Sequence, residues 1–189
     1  MAFEGLDFVG IDAQFTEEEL AIRSTVRSFV DEAVMPIIGD AYEKGVFPTE
    51  LMKPIAELGL LGANLTGYGC SGISKVGYVL VLQEIERGDS GLRSFVSVQG
   101  SLVMYPIHTF GSEEQKERWL PPMARGEVIG CFGLTEPDFG SNPGGMRTTA
   151  VRDGNEWVIN GSKMWITNGN LAQVALVWAQ TEDGVRGFL

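Results

Sequence analysis

Cys131-Phe132-Gly133-Leu134-Thr135-Glu136-Pro137-Asp138-Phe139-Gly140-Ser141-Asn142-Pro143-Gly144-Gly145 is the densest run of chemistry in the chain. The short apolar stretch from Val128 to Leu134 leads into it and reads as a β-strand. Beyond it come hydroxyls, glycines and bare backbone amides. Such a loop can approach a flat or phosphorylated ligand and donate N–H groups without any basic side chain. It matches neither a Walker loop nor the GxGxxG dinucleotide pattern. On composition alone the plainer reading is a long turn between strands.

Downstream the pattern stays β. Val151 to Ile159 carries Asp153-Gly154, a hairpin turn signal between two candidate strands. Val174 to Ala179 is a further apolar strand candidate, and Gly184 leads into a fourth. Between them lies Lys163-Met164-Trp165-Ile166-Thr167-Asn168-Gly169. A tryptophan beside a threonine can set a π face and a hydroxyl against an aromatic ligand. Read by residue type alone, Trp165 is a core residue of a strand.

Upstream, the chain reads as helices. Thr16 and Glu19 have capping-box spacing, Leu20, Val26, Val30 and Val34 follow at helical spacing, and Pro36 is expected to stop the run. A second helix is expected from Thr49 to Leu58, closed by Gly59, with Pro54 bending it or delaying its start. Leu61 to Ile73 contains the Gly-rich loop GYGCSG. Ser74 should cap a helix through Ile85 that ends at Gly88. Ser90 to about Thr109 reads as a buried helix with Arg93 its single charged residue. Ser112 and Gln115 repeat the capping-box spacing, and Pro121-Pro122 is expected to break the helix behind them. The fold class is therefore α+β: an N-terminal all-α helical domain over residues 1–126, then a partial antiparallel β domain over residues 127–189.

Composition narrows the function. The 189 residues carry 14 Lys+Arg against 25 Asp+Glu, a formal charge of −11, which repels phosphate backbones and excludes nucleic acid as a partner. Hydrophobic residues at 44% and charged residues at 21% are globular values. The 25 glycines in 189 residues exceed the ordinary share of about 7% and point to tight turns or close backbone approaches. No apolar run reaches the ~18 residues of a membrane span. Cys70 and Cys131 read as free thiols of a reducing compartment, and MAFEGLDFVG lacks the Arg/Ser-rich character of a presequence. The expected location is cytoplasmic, or the mitochondrial matrix if a presequence has been removed.

Arg93-Ser94 is a third chemical signal. A guanidinium in an apolar helix is costly to bury without an anion. A salt bridge to Glu84, Glu86 or Asp89 would supply one; a ligand carboxylate, gripped bidentately, is the functional alternative. His108 is the sole histidine and reads as structural, while Glu84, Glu86, Glu113, Glu114 and Glu117 read as solvated helix faces. The cysteines do not suggest a zinc site, so no metal is expected.

GLTEPDFGSN followed by KMWITNG resembles the flavin-binding signature of the acyl-CoA dehydrogenase family. With GYGCSGIS, EIERGDSGLRS, SVQGSLVMYPI and FGSEEQKERWLP, the likeness covers nearly the whole chain and is greatest to the glutaryl-CoA branch. It implies a helical N-terminal domain, a middle β domain and a C-terminal four-helix bundle, the last absent from this sequence. The cofactor implied is FAD. The residues implied along it are Phe132, Gly133, Leu134, Thr135, Glu136, Pro137, Gly140 and Ser141 on one loop, and Trp165, Ile166 and Thr167 on the other. Leu134 and Thr135 would bond the pyrimidine side of the ring, Gly140 and Ser141 the pyrophosphate or the acyl-CoA chain, and Thr167 would lie near flavin N5. Arg93, Ser94 and Ser141 would bind substrate, with Arg93 and Ser94 on the distal carboxylate of glutaryl-CoA.

The family reaction is α,β-dehydrogenation of an acyl-CoA thioester. For glutaryl-CoA it is followed by decarboxylation to crotonyl-CoA, with electrons passing to an electron-transferring flavoprotein. The family is tetrameric, and its glutamate base would lie beyond Leu189, so no catalytic residue is assigned here. Gly187-Phe188-Leu189 ends like a strand in progress, and the sequence is expected to be a fragment. Two positions depart from the family pattern: Asn142 replaces an aspartate, and Leu92 stands where close glutaryl relatives have tyrosine. The competing readings are a truncated binding module without turnover and an oxidase-like relative.

Overall fold

Both capping boxes form as spaced. Thr16 accepts the Glu19 N–H at 3.2 Å while the Glu19 carboxylate takes the Thr16 N–H at 3.0 Å. Ser112 and Gln115 make the same exchange at 3.2 and 2.9 Å. The structure is a computed structural model, and it describes residues 8–189. The presequence expectation rests largely on residues 1–7 and lies outside that range.

The helices are α1 (Glu17–Phe29), α2 (Met35–Lys44), α3 (Met52–Glu57), α4 (Lys75–Gly88), α5 (Ser90–Ser97), α6 (Tyr105–Phe110) and α7 (Glu113–Ala124). Pro36 does not stop the first run. α1 passes through a π turn at Val30–Val34 directly into α2, and the Met35 N–H reaches back five residues to the Val30 carbonyl. The wide turn restarts the α register so that Pro36 sits among the first residues of α2, where a missing N–H is least costly. α5 and α6 repeat the device, with a π stretch at Val98–Met104 placing Pro106 at the start of α6. Nor does Pro121-Pro122 break α7. Both prolines fall near its end, and the Arg125 N–H still bonds the Pro121 carbonyl at 3.2 Å. The Thr49–Leu58 helix begins as a 3-10 turn over Thr49–Leu51, and Gly59 closes it at φ 70°.

The expected antiparallel β domain is a mixed sheet. Its strands are β1 (Gly130–Gly133), β2 (Thr149–Asp153), β3 (Glu156–Asn160), β4 (Val174–Thr181) and β5 (Gly184–Phe188). β1 runs parallel to β4, with Gly130 opposite Val174 and Gly133 opposite Val177, and β2 meets β4 in parallel at Thr149 and Gln180. Among the described residues only β2–β3 and β4–β5 are antiparallel hairpins. A two-residue turn forces reversal, whereas the long connections between β1, β2 and β4 leave direction free. Asp153 pairs with Glu156, so the hairpin turns on Gly154-Asn155, one residue later than expected.

The core lies in the helical part, where Val30, Ile55, Ile85, Leu92, Phe95 and Leu120 are fully buried. α1 packs on α4, α4 on α5, and β1 on Val98–Met104. A Cβ at Gly130 would lie 2.5 Å from Val103 Cγ1, so the strand backbone rests directly on that π stretch. Gln99, 0% exposed, joins the two parts by accepting the Gly130 N–H at 2.8 Å and donating to the Val128 carbonyl at 2.9 Å. Glu84 departs from the solvated role expected of it. It is 1% exposed and is held by Arg27 at 2.6 Å and Arg87 at 3.2 Å. Among the described residues no helix is long and apolar enough to cross a membrane.

Candidate functional site

β1 ends at Gly133, and the chain leaves the sheet through half-buried Leu134 and Thr135 before Glu136 turns inward. The Glu136 carboxylate, 5% exposed, accepts the N–H groups of Arg147 at 2.6 Å and Thr148 at 2.9 Å. It also accepts the Lys163 ammonium at 2.8 Å. Burial pushes this carboxyl up, but Lys163 and the two backbone N–H groups outweigh it and hold the pKa at about 2. The loop between is a tight excursion: Glu136 and Phe139 form an isolated bridge, Arg147 pairs with Asp138 at 3.1 Å, and its guanidinium covers the Phe139 ring. Gly140, Ser141 and Asn142 lie exposed at its far side.

The second motif is a loop, not a strand. Lys163 reaches across to the Leu134 carbonyl at 3.0 Å, and the Met164 N–H bonds the Thr135 carbonyl at 2.9 Å. The two motifs thus form one surface. Trp165 is 84% exposed with φ 60°, which overturns its reading as a core strand residue. A bulky side chain in left-handed backbone is a strained conformation held by its surroundings. Three residues on, Asn168 is also at positive φ, is buried and donates to the Gly130 carbonyl at 3.3 Å, tying this loop to β1. Thr167 is exposed and Ile166 half-buried.

The donor set is specific. Among the described residues, the N–H groups of Thr135, Trp165, Ile166 and Thr167 donate no hydrogen bond. They stand beside the hydroxyls of Thr135 and Thr167 and the indole face of Trp165, with no cation turned outward from the two motifs, since Lys163 points in. That combination suits a flat heterocycle with polar edges. Among the described residues no group of three metal-ligating side chains occurs.

Arg93 is not buried bare. Its side chain is 35% exposed, and it pairs with Glu86 at 2.6 Å, one of the three partners expected, and donates to Ser97 at 3.4 Å. Half-buried Ser94 lies beside it on α5. His108 is structural, bonding the Thr66 carbonyl at 2.9 Å. Both cysteines are free, with thiols pushed up by burial.

The family model for the acyl-CoA dehydrogenase N-terminal domain matches residues 16–127, and that for the middle domain matches residues 131–189. The chain belongs to the acyl-CoA dehydrogenase family. A glutaryl-CoA dehydrogenase of Mycobacterium smegmatis, solved in complex with FADH2, superposes with a TM-score of 0.95 at 58% identity, over 97% of this chain and 47% of that one. Butyryl-CoA dehydrogenase of Megasphaera elsdenii gives 0.86 at 32%, over 97% and 49%. The short-chain specific mitochondrial acyl-CoA dehydrogenase of Rattus norvegicus is 37% identical over 185 residues, 93% of this chain and 44% of its own. The chain therefore spans about half the length of the relatives it matches.

Within this family member, the two motifs singled out in the sequence meet in space through Lys163, Glu136, Thr135 and Met164. Glu136 enters the site as an internal anchor with its carboxylate already engaged. No hydrogen bond joins Arg93 or Ser94 to either loop among the described residues. Sequence reasoning gave no role to Lys163 and Asn168 within the second motif and did not single out Arg147 or Gln99. Two carried signals: Lys163 is the lone charge between Glu156 and Glu182, and Asn168-Gly169 is a turn dipeptide.

Proposed function

We propose that the chain holds the FAD- and acyl-CoA-binding part of an α,β-dehydrogenase whose substrate is glutaryl-CoA. The observation that carries the flavin reading is the surface formed by the two stapled loops, with exposed Trp165 and Thr167 and half-buried Thr135 beside unbonded amides. Leu134 and Thr135 would hold the ring's pyrimidine side, Trp165, Ile166 and Thr167 its flank, and Gly140 and Ser141 the phosphates or acyl-CoA chain. Phe132, Gly133 and Pro137 shape the loop. FAD supplies the acceptor for the hydride leaving the β-carbon. The protein's part is to orient the ring and to offer hydrogen bonds to the charge that arrives on reduction.

Glu136 is unsuited to be the α-proton base, because a carboxylate held at about 2 by Lys163 and two amides has little basicity left. The base would come from outside these 189 residues. Electrons would pass to an electron-transferring flavoprotein, and the complete protein would be a homotetramer. The identity of 58% to a glutaryl-CoA dehydrogenase supports the dicarboxylate substrate, with Arg93 and Ser94 its grip. One observation favours a straight-chain acyl-CoA instead: Glu86 already neutralises Arg93, so an uncharged chain would strand no cation.

The visible spectrum of the complete protein tests both readings. A flavin band that bleaches anaerobically with glutaryl-CoA supports the proposal. Bleaching with butyryl-CoA alone transfers the function to the straight-chain reading, and a colourless protein that takes up no FAD refutes both.

A further inference from the structure

Lys163 is the single lysine of the two motifs, and its side chain is only 12% exposed. Besides Glu136 it bonds the Leu134 carbonyl at 3.0 Å. That carbonyl belongs to the same peptide as the Thr135 N–H, which donates to nothing among the described residues. A cation on a carbonyl oxygen draws electron density along the amide and strengthens its N–H as a donor. Glu136 accepts from the same ammonium at 2.8 Å and offsets part of its field.

We propose that Lys163 and Glu136 are positioning residues that set the electron affinity of the flavin, acting in opposite senses through the Leu134–Thr135 peptide. Lys163 makes the Thr135 amide a better donor to charge arriving on the ring, and Glu136 restrains that effect. The inference rests on the flavin reading above and deepens it. If the pair did no more than fasten the two loops, removing either partner would disturb the site in the same direction. Opposed directions are the signature of the electrostatic role.

The test is the midpoint potential of bound FAD in the complete protein, measured by anaerobic dye-coupled reduction, together with FAD affinity. Lys163→Met should lower the potential and weaken FAD binding about tenfold. Glu136→Gln should raise the potential, and Lys163→Arg, which keeps the cation, should stay near wild type. Shifts of the same sign in the two single variants, or no shift in either, overturn the proposal. Lys163→Met strands a buried carboxylate; if it fails to fold, Glu136→Gln and the neutral double variant Lys163→Met/Glu136→Gln decide. The proposal then requires Glu136→Gln above wild type and the double variant below Glu136→Gln, and any other order overturns it. A wild-type protein that takes up no FAD removes the flavin reading and this inference together. A loaded wild type whose variants keep its potential removes this inference alone.

Discussion

Arg93 concentrates the substrate question in one side chain. It has an anionic partner in Glu86 at 2.6 Å, yet its Nη2 has no acceptor among the described residues, so a ligand carboxylate can be added without breaking the pair. A charged hydrogen bond contributes about 1.5–3 kcal/mol. Arg93→Ala should therefore cut glutaryl-CoA turnover by about 10- to 150-fold while leaving butyryl-CoA turnover nearly unchanged; steady-state kinetics with both substrates would show equal losses if the carboxylate lies elsewhere. Thr167 is exposed, so Thr167→Val should leave the urea midpoint unmoved and shift the flavin's potential, the second readout counting against a contact with the ring if it stays put. At this scale residue type alone misplaced Trp165, setting it in a strand core although it stands 84% exposed on a loop. It gave Lys163 no role and read Glu84 as a solvated helix face, because both roles depend on which opposite charge folding brings alongside from 27 or 57 positions away.

Elements tell a different story about legibility. The hydroxyl caps at Thr16, Ser74 and Ser112 are local, and all three were readable from a few residues. Pro36 and Pro121-Pro122 were not. A rule that proline ends a helix assumes the helix keeps one register, and the π turns before Pro36 and Pro106 change it. Strand direction was likewise hidden, because it is set by connections whose path the sequence does not encode locally. Gly88 offers a test of how closely these elements pack. It lies in α4 with ordinary helical backbone, where propensity alone would favour alanine by about 1 kcal/mol. A Cβ there would come within 2.8 Å of Val30 Cγ1 in the π turn, so packing outweighs propensity. Gly88→Ala should lose about 1–3 kcal/mol in urea unfolding, and a gain would show that the π turn yields. Glu84→Ala removes the anion that Arg27 and Arg87 share. Both arginines stay about half exposed, so the cost should be about 1–3 kcal/mol, below the 3–5 kcal/mol of a fully buried pair.

Across the whole molecule the carboxylates act in concert. Glu136, Glu84, Glu19, Glu86, Glu127 and Asp12 are all held below the ordinary carboxylate range by hydrogen bonds or cations. Each depressed value means that the ionised form favours the folded chain. The stabilisation is complete above the unfolded value of about 4 and is lost as pH falls through the folded values. The urea midpoint should be flat from about pH 7 to pH 5 and drop steeply toward pH 3; a midpoint that holds at pH 3 would mean these pairs contribute little. The surface of the site offers a way to follow all of this without a label. Trp165 is 84% exposed, while Trp157 is 44% exposed and Trp119 and Trp178 are more enclosed. The red edge of the protein's emission therefore belongs to Trp165, which stands where the proposed ligand would lie. Occupancy of the site is written into the native fluorescence: a ring settling on that indole would darken the red edge first and leave the blue side, from the enclosed tryptophans, to report the fold.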